Sequence, residues 1–505
     1  MPTKRKSRKP RKLRVGSPAG VGTDVLVACW QDDPGDPASQ PVLTPIQLPV
    51  PDQSATPLPF KIADKTPPPS IYQPGTVEFL YYANACALRR TADFWGSIVP
   101  AGTDWEIGKT LPVNLDSGVD LNAFYTRGDG GDSPGLHFFH EAIGGRVFFS
   151  GESPDVACHE MGHAVLDALR PQLFDAQTIE AAAFHESFGD MSALLSALQV
   201  PSFRDVLLGD TGGRLNRSSR LSRLAEQLGA AIRTQEADAV DPDCLRNANN
   251  SFFYRDPQTL PPSAPASALS SEPHSFSRVF TGAFLDVLAG MFALQSTQDS
   301  DGIVQAAQAA AQILLGGIAN AAVVPDFFSQ VAGNMVQFGD GAPFNGKYHD
   351  VLKSAFVRRG ILSLEAAATI SKTKSQPKGI AAATKMRAGQ TGLLPKAAIA
   401  ASHFGLNQLT LQVHVASEPR RLALSASSLT LGPAETRSSQ SAAESYTEDL
   451  FQRGHVDVGK YADPKSGMSR LFSFKTHLVT EEGGQLLLKR ITFNCGFGDG
   501  GLRRL

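Results

Sequence analysis

Residues 159–163 read His-Glu-Met-Gly-His, and no other stretch constrains the chain as strongly. On a helix, residues four apart lie one above the other on one face, so the imidazoles of His159 and His163 can reach a single metal ion. Glu160, one step round, flanks the side of that ion left open for a water. The flanks agree with a helix. Ser153 is a suitable N-cap, Pro154 suits the first helical position, and Pro171 stops the run after Arg170. Two surface histidines on an ordinary amphipathic helix have the same spacing, so the motif needs corroboration elsewhere.

Two histidines leave such a centre short of a ligand, because catalytic zinc takes three protein ligands and keeps one position open. Glu186 follows 23 residues after His163, inside a second helical pattern from about Asp175 to Gln199 that Pro201 ends. Asp190 lies four residues further on, hence on the same face, where it can accept the outer ring N–H of a ligand histidine. The surrounding AAAFHESFGDMSALLSAL is too apolar for freely solvated carboxylates, so they need partners. His185 is one step off this face and reads as structural. Cys158, beside His159, points elsewhere and reads as a packed thiol.

The scaffold is large: 505 residues allow two to four domains. Hydrophobic content of 42% and charged content of 19% describe a globular protein, and a net charge of -2 gives no global pull toward nucleic acid or anionic membrane. No uninterrupted apolar run approaches the 18 or so residues that span a bilayer. The richest, Ala306–Val324, is broken by Gly316, Gly317 and Asn320 and reads as a buried helix. Five scattered cysteines without a C-x-x-C argue against a disulfide framework. The first 14 residues carry eight Lys or Arg and no apolar core of a signal peptide, which points to the cytoplasm or to export by a route without one. That basic arm reads as a solvated tail rather than a nucleic-acid contact.

The expected class is α+β. Residues 1–73 form the basic arm and a Pro-rich linker or strap, with one short strand at Val25–Trp30. Residues 74–363 form the metal-bearing domain: a β-rich lobe with the metal helices (74–200) and a mainly helical lobe (201–363). Its helices are expected at Thr76–Ile98, Arg220–Gln235, His274–Phe292, Gly302–Ala322, Pro325–Phe338 and Tyr348–Arg359, and its strands at Leu111–Leu115, Leu121–Thr126, Leu136–Phe139 and Arg146–Phe149. Residues 364–395 are a Lys-rich linker. Residues 396–505 shift to period two, at Gln408–Ala416, Arg421–Ser425, His455–Lys460 and Leu471–Val479, with a hairpin turning at Gly483–Gly484. They read as a small, mainly β accessory domain.

HEMGHAVLD followed by HESFGD resembles the thermolysin-like gluzincin metallopeptidases, in which H-E-x-x-H is completed by a Glu in an E-x-x-x-D pattern. Asn122-Ala123-Phe124-Tyr125 is similar to that family's substrate-aligning edge strand, SPDVACHEMGH to the run into its metal helix, and PHSFSRVFTGAF to its H-x-x-S helix. Arg246, 28 residues before His274 with Asp256-Pro257 between them, is similar to the family's substrate-carbonyl arginine. The likeness spans about residues 74–363.

It implies a thermolysin-like zincin catalytic domain and a zinc-dependent endopeptidase acting on peptide or protein substrates. One Zn(2+) per chain is held by His159, His163 and Glu186. Glu160 is general base and His274 the oxyanion-steadying histidine. Asp190 and Asp167 support the ligands, while Asn122, Ala123 and Arg246 hold substrate. Two positions depart from the pattern. Phe174 replaces a tyrosine that assists His274, and Leu269 replaces an Asp that orients it, a task open to Glu272 or a nearby serine. These departures favour the rival reading, a zinc-binding scaffold without turnover. Calcium has no clear site, since Asp129, Asp132, Asp210 and Asp241 lack consistent ligand spacing. Nothing in the sequence sets the oligomeric state.

Overall fold

The computed structural model describes residues 26–35, 46–370, 378–380, 394–417, 438–463 and 474–495. The basic arm and the expected strand at Arg421–Ser425 lie outside them. Within them the protein is mixed α+β with several sheets.

Packed structure begins earlier than Pro74. Strands Leu26–Cys29 (β1) and Ile46–Pro49 (β2) pair antiparallel, and Phe60–Ile62 (β3) runs parallel to Leu111–Asn114 (β4). The Pro-rich stretch is a strap and not a loose linker. Arg89 donates to the carbonyls of Ala55 and Pro57, and the Trp105 indole to Pro59. Prolines lack an N–H but keep a carbonyl, so a strap rich in them is fastened through its acceptors.

The strap lies against helix Val77–Gly96 (α1), whose N-cap is Thr76. Next come Ala123–Thr126 (β5), Gly135–Phe138 (β6) and the hairpin His140–Ile143 (β7) with Arg146–Phe149 (β8). β3, β4, β6 and β5 are neighbours in one five-stranded sheet, with β5–β6 antiparallel. Its fifth strand, Thr492–Asn494 (β16), comes from the far end of the described chain and pairs antiparallel with β5.

Beneath this sheet lie Pro154–Leu169 (α2) and, after the short Gln172–Asp175 (α3), Ile179–Ala197 (α4). α4 packs between α2 and Pro273–Ala293 (α7), and every one of its residues is buried. A helix enclosed by a core on all sides fits its largely small and apolar sequence.

The helical half continues with Pro201–Thr211 (α5), Glu226–Arg233 (α6), Ser300–Asn320 (α8), Phe327–Asp340 (α9) and His349–Arg358 (α10). A two-stranded ladder, Arg223–Leu224 (β9) with Arg246–Asn247 (β10), sits among them. α7 and α8 are the helices expected at His274–Phe292 and Gly302–Ala322. Both are long and apolar enough to cross a membrane by length and composition, but 78% of each apolar stretch is buried inside the protein, in line with the buried-helix reading of Ala306–Val324. Helix α5 was not expected, because Pro201 reads as a stop and in fact starts a new helix at its first turn.

Residues 364–395 open with a helix, Leu364–Ile370 (α11). Beyond them Lys396–Ala400 (β11), Thr410–His414 (β12), Val456–Asp457 (β13), His477–Glu482 (β14) and Gln485–Arg490 (β15) form a second five-stranded sheet in the order β11-β12-β15-β14-β13. β14 and β15 form the expected hairpin, with Glu482 opposite Gln485. Gly483 and Gly484 have φ of 59° and 80°, the left-handed pair that a two-residue turn of this kind requires. This region also holds an unexpected helix, Ser439–Gln452 (α12), started by Ser438. It does not stay a separate β unit, since β16 leaves its sheet to join the first one.

Candidate metal centre

Helix α2 starts where Ser153 accepts a hydrogen bond from the Val156 N–H. The Ser153 hydroxyl also donates to Asp33, so the strap pins the helix that carries the histidines. α4 starts likewise at Thr178, which accepts from Ala181 N–H. The two helices meet through glycine. A Cβ on Gly189 would stand 2.5–2.6 Å from the His159 ring, and one on Gly162 would stand 2.6 Å from Ser192 Oγ. Both distances are well inside van der Waals contact, so larger residues would force the helices apart.

That approach brings the ligand atoms together. His159 Nε2 and His163 Nε2 are 3.1 Å apart, Glu186 Oε2 is 3.3 Å from the first, and Glu186 Oε1 is 3.7 Å from the second. Tetrahedral zinc with Zn–N bonds near 2.05 Å separates its ligand nitrogens by about 3.3 Å. These three residues therefore fit a metal with the expected donor set. Glu186 Oε2 and both Glu160 oxygens are buried without a hydrogen bond of good geometry. Such groups call for a bound partner.

The outer contacts differ from the expectation in one place. His159 Nδ1 is 3.1 Å from Asp190 Oδ1, as expected. Asp190 also accepts from Arg246 at 3.0 Å and Thr281 at 3.2 Å. Asp167 does not support His163. Its carboxylate takes the Tyr125 hydroxyl at 2.7 Å and the Arg127 guanidinium at 2.5 and 3.0 Å. The outer nitrogen of His163 instead faces His185 Nδ1 at 3.4 Å, so His185 stands closer to the chemistry than its helical position suggests.

Charge follows this geometry. Burial pushes Glu160 up to about 7, against the pull of His159. Burial alone would lower the His159 pKa, but Cys495, Asp190 and Glu186 together raise it. His163 is held well below its usual value by burial and by the neighbouring imidazoles. Asp190, despite burial, is held below the usual carboxylate range by Arg246 and His159.

His274 stands near the N-terminus of α7. Its Nδ1 is 2.6 Å from Glu272 Oε1, and Glu272 also accepts from the backbone N–H of His274 and Ser275. Glu272 thus orients the ring where Leu269 cannot. His274 Nε2 points at the Asn494 carbonyl, 2.5 Å away, and lies 3.2 Å from Glu186 Oε2. Phe174 is buried and offers no hydroxyl; the Arg127 guanidinium lies 4.1 Å over its ring.

Arg246 sits beside the centre but is committed to Asp190. Asn122 is buried, and its side chain accepts from the Ala123 N–H. The Ala123 carbonyl accepts from Cys495 N–H at 2.8 Å. Alongside lies a cavity of about 410 Å³ whose lining includes Leu245, Arg246, Glu272, His274, Arg278 and Cys495.

Among the described residues, two His/Cys/Asp/Glu groupings could hold a metal, and both are here: His159-His163-Glu186 and His159-Glu160-Cys495. Asp129, Asp132, Asp210 and Asp241 belong to neither. Sequence reasoning missed Cys495, Asn494 and Phe493 altogether. No local spacing links them to the histidines; only the pairing of β16 with β5 does. Against known proteins, no family model and no curated protein matches the chain.

Proposed function

We propose that the protein is a zinc-dependent endopeptidase with a thermolysin-like catalytic region. The observation that carries this reading is the convergence of His159 Nε2, His163 Nε2 and Glu186, at separations of 3.1–3.7 Å, beside the buried Glu160 carboxylate. Bound by these three residues, zinc would supply Lewis acidity and a water acidic enough to ionise near neutrality.

The remaining work falls to the chain. Asp190 holds His159 in the tautomer that presents Nε2 inward. Glu160 takes the proton of the attacking water and passes it to the leaving amine. His274, oriented by Glu272, donates from Nε2 to the carbonyl oxygen as negative charge develops there, a contribution of roughly 3–4 kcal/mol for one well-placed donor. The edge of β5 that β16 now covers would, once vacated, align the peptide as an added strand through the Ala123 carbonyl.

The test combines metal content with hydrolysis, on the full chain and on a chain ending at Ile491. About one zinc per chain is expected, with Glu160→Gln keeping the metal and losing at least ~100-fold in casein hydrolysis. A protein that folds with unchanged melting temperature and binds no zinc overturns the reading. Phe174 favours a second reading, a zinc-binding scaffold without turnover. Zinc at full occupancy with no cleavage in a peptide library selects it.

A further inference from the structure

β16 occupies the place where a peptidase of this kind would take its substrate. It runs antiparallel to β5 with Phe493 opposite Tyr125 and Asn494 opposite Phe124. The ladder is reinforced from both sides: Thr492 Oγ1 donates to the Tyr125 carbonyl at 2.9 Å, and Thr126 Oγ1 to the Ile491 carbonyl at 2.6 Å. It continues one step further, through Cys495 N–H to the Ala123 carbonyl. The Asn494 carbonyl receives His274 Nε2, the donor assigned above to a substrate carbonyl.

The side chains are seated as firmly. The Phe493 ring stacks on His185 at 4.1 Å between centroids and on His163 at 5.1 Å. Phe174 packs edge-on against it at 5.4 Å, and Arg490, 4.2 Å from the ring centroid, also donates to the Phe174 carbonyl and the Tyr446 hydroxyl. Cys495 is 3% exposed. Its Sγ, a His159 ring nitrogen and a Glu160 oxygen lie within 4.8 Å of one another, a grouping that shares His159 with the proposed ligand set. Glu160 is itself fully buried with neither oxygen in a hydrogen bond of good geometry. A thiolate is a stronger zinc ligand than water, and the metal itself favours the deprotonated form.

We propose that Thr492–Cys495 is a built-in inhibitor of the metal centre: β16 fills the peptide groove, and the Cys495 thiolate closes the metal's open position. This deepens the peptidase reading and rests on it. The chain as it stands is latent, and its active form is one from which the C-terminal strand has left β5. Release takes away only the Cys495 thiolate, because α2 and α4 carry the other three ligands.

Cobalt substitution of the full-length chain tests the ligation without relying on turnover. A thiolate-to-cobalt charge-transfer band in the near ultraviolet is expected in the native sequence and absent in Cys495→Ser. Groove occupancy is read by fluorescence anisotropy of a labelled peptide hydroxamate. Its affinity should rise at least tenfold in a chain ending at Ile491, and also in full-length Phe493→Asp, which keeps the chain intact should the truncated form fail to fold. Cobalt bound at one per chain without the thiolate band overturns the ligation and leaves the peptidase reading standing. A band without any gain in hydroxamate affinity overturns the inhibition. Failure of every form to bind cobalt overturns the metal centre itself, and this inference with it.

Discussion

The two sides of the metal centre are built in opposite ways. The ligand side comes from two helices adjacent in sequence, with His159, His163, Glu186 and Asp190 placed by helical periodicity and by one close crossing. The groove side is assembled from β5, β10, the start of α7 and β16, which are spread over most of the chain. The ligand side is rigid because α4 is buried all round. The groove side contains an element, β16, held by a short ladder that extends through the Cys495 N–H, two threonine hydroxyls, the His274 contact and an aromatic stack, with no helix of its own. On the proposed reading, the centre joins a fixed metal site to a removable cover.

Substitutions on each side should separate the two. The largest effect is expected from Gly189→Ala, whose new methyl meets the His159 ring at 2.5–2.6 Å. It should weaken zinc binding at least ~10-fold and cost about 1–3 kcal/mol of stability, read by metal titration and thermal melting, while β16 stays protected from proteolysis. Unchanged zinc affinity would mean that the helix crossing does not set the ligand geometry.

Arg490→Met should do the reverse. Loss of its bonds to Phe174 and Tyr446 costs about 1–3 kcal/mol, and the labelled hydroxamate should bind more tightly at constant zinc content. If zinc content falls instead, the two sides are not separable.

The smallest effect lies at the strap, where burial pushes Asp32 up to about 7 and raises Asp33 and Asp155 as well. A carboxyl whose pKa is higher folded than unfolded holds its proton longer in the native state, so its stabilising effect is lost as pH rises from about 4 to about 7. Melting temperature should fall across that window, and Asp32→Asn should flatten the fall by about 1–2 kcal/mol. A native sequence with a flat profile would remove the strap from the account.

The difference between the sides also explains what the sequence reveals. The candidate ligand positions were legible because H-E-x-x-H and Glu186–Asp190 are helical spacings, and most helices and strands fell within a few residues of their periodic patterns. Glu272 could be anticipated as the partner of His274 because it is two residues away. Asp167 could not be judged: its spacing fits a helper of His163, but Arg127 from a different element claims its carboxylate. Cys495 was invisible for a stronger reason. The pairing of β16 with β5 is set by tertiary topology, and a three-residue strand carries almost no period of its own. The sequence left the Pro-rich stretch open between linker and strap, because proline removes the ladder signal while leaving the carbonyls that fasten it.

A last consequence concerns β5 itself. A peptidase that recruits substrate by strand addition must keep one edge of its sheet unpaired, and an open apolar edge invites any extended segment, including one from another copy of the same chain. With β16 in place that edge is spoken for. The same four residues, Thr492–Cys495, proposed to silence the centre would then act as a guard against self-association, and a chain stripped of them trades colloidal safety for access.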